Sequence, residues 1–116
     1  MPIIDHADLG WAPVTPQVRE RYLVSRDHGA ASLTIKEVEI APRWESRLHT
    51  HPVDVSMQVM SGAIQAIIGA EVRTVRAGTT LLAPPGVPHK LINHLWTPAT
   101  LLITYPSATL ETDYLE

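Results

Sequence analysis

Two histidines in this 116-residue chain are separated by a single residue, as His49-Thr50-His51. On a β-strand, positions i and i+2 face the same side, so both imidazoles point into one space. Neutral imidazole is a common metal ligand, and two converging rings begin a chelate. A third ligand has to come from elsewhere in the sheet. His89 is the best candidate, because it follows Pro84-Pro85-Gly86-Val87-Pro88, a stiff turn that sets where the next strand starts. The competing reading is structural: three histidines satisfied by hydrogen bonds in a metal-free interior. The other three histidines are weaker. His28 lies in a turn-like stretch, His94 is out of phase with His89, and His6 has no evident partner.

Strand phase extends the candidate site. Arg47 shares the phase of His49 and His51. It is either a clamp for a substrate carboxylate or a rim arginine that reaches solvent. Val55, Met57 and Val59 alternate in one phase and are expected to line the pocket, as are Leu91, Ile103 and Tyr105 on the last strands. Tyr105 offers a phenol near the site or simply packs. The chain has no Phe, so the expected pocket is aliphatic and suits a small organic molecule.

The elements that must position these residues are β-strands. Ten prolines are scattered along the chain, which a helical protein tolerates poorly and a β-protein with many turns can place. Between them lie short segments rich in Val, Ile, Leu and Thr, at residues 20–25, 31–40, 47–51, 55–60, 63–68, 72–76, 79–83, 89–93 and 100–105. Residues 31–40 alternate with a phase slip that predicts a bulge. Strands of this length and spacing predict an all-β sandwich or barrel. Residues 1–20 read as an N-terminal arm, broken by Pro13 and Pro16, that packs at a dimer interface. Residues 21–116 read as one barrel domain.

The stretch from Gly78 through Pro84, Gly86 and His89 to Asn93 resembles the second motif of the cupin superfamily, G-x5-P-x-G-x2-H-x3-N, at every fixed position. The first motif, G-x5-H-x-H-x3,4-E-x6-G, has its centre at His49 and His51 and its closing glycine at Gly62. The resemblance is to small, single-domain cupins of the conserved-barrel type and covers about residues 30–106. It implies a double-stranded β-helix, or jelly-roll barrel, with His49, His51 and His89 as metal ligands. Two positions depart from the pattern. Arg43 stands where the first motif opens with glycine, and Val55 stands where its metal-binding glutamate belongs. Asp54 and Ser56 are one residue out of phase and face away; a bulge after Pro52 would be needed to turn Asp54 inward. The simplest reading is a variant of the metal site with three neutral imidazoles and no carboxylate.

Such a variant resembles the three-His cupins, among them small-molecule dioxygenases. The leading expectation is a metal-dependent enzyme acting on a small, anionic organic molecule, as an Fe(II)-type dioxygenase with no catalytic residue beyond the metal ligands. Fe(II) is preferred, with Zn, Ni, Mn or Cu as alternatives. The alternatives in function are a metal-assisted isomerase, lyase or cyclase, and a non-enzymatic cupin that binds metal or a small ligand. An isomerase-type reaction needs a positioned acid or base, and no acidic residue shares the pocket phase of the His-x-His strand. The net charge of −3 gives no reason to expect nucleic acid or an anionic membrane as partner. No apolar run is long enough to span a bilayer. The absence of cysteine and of a signal-peptide pattern fits a cytoplasmic homodimer.

Overall fold

The computed structural model describes residues 2–116. Among the described residues, twelve strands form two antiparallel sheets. The first has the order β1 (Ala12–Thr15), β2 (Val18–Val24), β3 (Thr34–Ile40), β11 (Ala99–Tyr105), β6 (Val55–Ser61), β9 (Thr80–Ala83). The second has the order β12 (Asp113–Tyr114), β5 (His49–Thr50), β10 (His89–Asn93), β7 (Ala63–Ile68), β8 (Glu71–Arg76), with β4 (Trp44–Glu45) also pairing with β10. No helix among the described residues is long and apolar enough to cross a membrane.

Alternation sorts each strand into an inner and an outer face. Along β11, Ala99, Leu101, Ile103 and Tyr105 are buried, while Thr100, Leu102 and Thr104 between them are less so. Neighbouring β6 buries Val55, Met57 and Val59. These residues meet Ile64, Ala66 and Leu91 of the opposite sheet in one core. Complete burial of an aliphatic side chain contributes about 1.5–3 kcal/mol. Asn93, fully buried, ties the barrel end together: its Nδ2 donates to the carbonyls of Ile40 and Thr97, and its Oδ1 accepts from Leu95 N.

Three expectations about the elements are revised. The boundary at residue 20 falls inside β2, because Val18 is already buried and paired with Ile40; only residues 2–11 precede the sheet. The predicted slip within residues 31–40 does not occur. β3 pairs with β11 without interruption, and the irregularity lies on β2 between Tyr22 and Val24. Lys36 therefore keeps the inward phase of Val38 and Ile40. The strand expected over residues 47–51 is confined to His49–Thr50, flanked by a C-terminal strand, β12, that the sequence pattern did not announce.

The two glycine positions of the first motif behave differently. Gly62 turns β6 into β7 with φ 73°, and a Cβ there would collide with the Pro98 carbonyl oxygen. Arg43, at the motif's opening position, holds a left-handed φ of 65° without being glycine, a conformation that costs a residue with a Cβ. Gly62→Ala should lower stability by about 3 kcal/mol through strain and overlap. Arg43→Gly should leave stability unchanged or raise it. Urea unfolding of the two variants checks this contrast, and equal losses in both would contradict it.

Candidate metal centre

β5 and β10 are neighbours, and His49 stands directly opposite His89. His51 follows two residues after His49 on the same side. Their ring centroids lie 5.0 Å apart for His49 and His51, 4.3 Å for His49 and His89, and 5.3 Å for His51 and His89. Each ring offers one ligand atom within 4.8 Å of the other two. His51 and His89 are buried and His49 is half-buried.

The second nitrogen of each ring is held by the backbone. His49 Nδ1 bonds the Arg47 carbonyl at 2.6 Å, His51 Nδ1 the Glu111 carbonyl at 2.7 Å, and His89 Nδ1 the Val87 carbonyl at 3.1 Å. A carbonyl only accepts, so each Nδ1 carries the proton and donates it. Each Nε2 is left as a lone-pair donor, the tautomer a metal-binding histidine needs. The donor set of three neutral imidazoles fits a divalent transition metal.

Burial, the larger cause, together with His49 and His51 pushes the His89 pKa down to about 4, against the opposing bond to Val87. Burial also lowers that of His49, helped by His51 and Lys36. The sign for stability follows. Between the ordinary value of 6.5 and about 4, the unfolded chain takes up protons that the folded metal-free protein refuses. Stability is therefore full above this window and falls as the pH drops through it. Urea midpoints of metal-free protein should decline as the pH is lowered across the window, and His89→Asn should flatten the decline. An equally steep decline in the variant would contradict the assignment.

A cavity of about 450 Å³ opens beside the three histidines. Arg47, Val55, Met57, Leu91, Ile103 and Tyr105 line it. Val59 is a correction: it is buried in the core but does not reach the cavity, because it stands two residues further along β6 from the histidines than Met57. Val55, only 2% exposed, lies against the cavity, while Asp54 is exposed, so no bulge turns the aspartate inward. Arg47 is a rim residue. Its Nε and terminal nitrogen donate to the Glu116 main-chain oxygen at 2.9 and 2.7 Å, and its guanidinium stacks on Tyr114 at 4.0 Å. Tyr105 packs its ring edge-on against His51 at 5.4 Å.

Sequence reasoning missed a polar group in this cavity. Glu20 of β2 and Lys36 of β3 both line it, paired at 3.1 Å. Their signal was phase: Glu20 alternates with Val18, and Lys36 with Val38 and Ile40. The supposed slip in β3 concealed it. Ser46, Trp44 and Tyr114 also reach the cavity. The remaining histidines stay apart. His94 is exposed, His28 Nδ1 lies 3.3 Å from Ser25 Oγ, and His6 is exposed on the N-terminal segment.

The comparison with known families decides the class: the profile of the cupin domain matches residues 36–105. The chain belongs to the cupin family. No curated protein matches it by sequence. Among solved structures, this cupin is similar to the polyketide cyclase RemF from Streptomyces resistomycificus, at 18% identity and a TM-score of 0.85, over 100% of this chain and 86% of that one. It is similar to KdgF from Halomonas sp., at 17% identity and a TM-score of 0.78, over 90% of this chain and 94% of that one. It also resembles the Lactobacillus farciminis oxalate decarboxylase, at 18% identity and a TM-score of 0.81, over 94% of this chain and 34% of that one. At these identities the likeness speaks for the fold.

Proposed function

We propose that this cupin is a metal-dependent enzyme that takes a small, anionic organic molecule directly onto a three-histidine centre. The observation that carries the reading is the convergence of three backbone-fixed imidazoles on a cavity, with valine where the family's glutamate belongs. A divalent metal held there would supply a Lewis acid with open positions for water, oxygen or a chelating anion. Three neutral ligands leave its double charge uncompensated, so an enolate or carboxylate is a natural companion. The chain's own residues do the rest. His49, His51 and His89 hold the ion. Val55, Met57, Leu91 and Ile103 shape a mostly apolar wall that excludes water from the bound molecule.

Fe(II)-type dioxygenase chemistry is the leading form, because a neutral, open site suits oxygen and demands no separate base when the substrate arrives ionised. A specific observation favours a second form. Glu20, Lys36 and Tyr105 line the same cavity, so it does contain groups able to handle protons in an isomerase, lyase or cyclase reaction. Turnover of a panel of enolisable diketones and phenolic acids, with and without air, separates the two. Conversion by iron-loaded protein only in air supports the oxygenase. Equal conversion without oxygen overturns it in favour of the second form. A protein that binds metal and ligand yet converts nothing would be a binding cupin instead.

A further inference from the structure

Lys36 and Glu20 form an ion pair inside a largely aliphatic wall. Nζ lies 3.1 Å from Glu20 Oε2, and the two side chains are 17% and 18% exposed. Val18 and Val38 line the cavity beside them on the same strands. A half-buried pair in such a place is weak as a stability device, since apolar residues of similar volume often do as well. The ammonium has three N–H donors; Glu20 Oε2 takes one at 3.1 Å, the Tyr105 hydroxyl stands within reach of a second, and a third remains for a ligand. Burial disfavours the ammonium's charge, but Tyr105 and Glu20 outweigh that and raise its pKa, so it remains cationic at neutral pH. Nζ is 5.6 Å from the Tyr105 ring centroid, and that ring is 5.4 Å from the His51 ring.

We propose that Lys36 is a substrate-binding residue whose ammonium takes an anionic oxygen, carboxylate or phenolate, at the end of the substrate remote from the three histidines. The inference rests on the metal-centre reading and narrows it. The substrate class becomes a small molecule with metal-chelating oxygens and a separate anionic oxygen. Glu20 is a positioning residue that holds the ammonium against the wall.

The test uses zinc-loaded full-length protein, which avoids redox turnover, and two probes that differ in one group: catechol and 3,4-dihydroxybenzoate. Isothermal titration calorimetry should give wild-type protein about tenfold tighter binding of the carboxylate-bearing probe, the size of one buried charge-assisted hydrogen bond. Lys36→Met should bring the two probes within about twofold of each other; the benchmark is the same charge-assisted bond. Lys36→Arg should retain part of the preference. Because Lys36→Met leaves Glu20 unpaired, the neutral double variant Glu20→Gln/Lys36→Met is measured beside it, with the same loss expected. Wild-type protein that binds both probes equally overturns the role of Lys36 and leaves the metal centre standing. So does a preference that survives in both variants. Protein that takes up no zinc, or binds neither probe once loaded, overturns the metal-centre reading together with the inference.

Discussion

His51→Ala and His89→Ala should each abolish stoichiometric binding of a divalent metal, measured by elemental analysis after dialysis against buffer containing weak chelator. Each variant removes one of three neutral donors, and among the described residues no fourth joins the group. Val55 cannot ligate, Asp54 is exposed, and Arg47 is a cation engaged with the Glu116 main-chain oxygen. The loss should come without loss of fold, because an imidazole whose pKa is depressed by burial, as in His89, is an expense to the metal-free barrel. His94→Ala is the control. His94 is exposed and outside the converging group, so its removal should leave metal content unchanged. Full metal retention in both His51→Ala and His89→Ala would defeat the assignment and favour histidines that serve only as hydrogen-bonded core.

Removal of residues 111–116 should weaken metal binding by about 10–100-fold, the usual consequence of losing a partner that orients a ligating histidine. The Glu111 carbonyl fixes the tautomer and direction of His51. Beyond it, Asp113 and Tyr114 pair with Thr50 and His49, and Leu115 N donates to the Leu48 carbonyl at 2.8 Å. Glu116 Oε1 accepts from Leu48 N at 2.8 Å and faces Lys90 at 3.4 Å. This short segment is therefore the outer brace of β5 and of His51 just after it, which together supply two of the three ligands. It contributes nothing to the core that Ile40, Ile64 and Leu101 dominate, so the truncated barrel should still fold. A competition titration with a chromogenic chelator reads the affinity. An unchanged affinity in a folded truncated protein would show that β5 needs no brace.

The histidines were legible because their geometry is local. A His-x-His pair on an extended segment shares a face whatever the rest of the chain does, and the proline-rich turn before His89 places it at a strand start. The valine at position 55 was legible for the same reason: strand phase says which face it takes, and the structure puts it on the cavity side. Pocket lining was legible strand by strand, from Val55 and Met57 to Ile103 and Tyr105. It failed at Val59, where phase alone says that a side chain points inward but not how far the cavity extends along the strand. Arg47 shows another limit. Its phase was compatible with a clamp or a rim position, and the choice was made by Glu116 and Tyr114, more than sixty residues away in sequence.

The sequence by itself determined the family, the β architecture, the three convergent imidazoles and the absence of a carboxylate among them. Each of these follows from residue type at short, regular spacing, which dihedral geometry converts directly into direction. Only the tertiary structure decided which carbonyl orients His51, that β12 braces β5, and that Glu20 and Lys36 meet on the cavity wall. These depend on pairing between distant segments. The Glu20–Lys36 meeting further depends on a single irregularity lying on β2 rather than β3, and a one-residue slip reverses the face of every side chain beyond it.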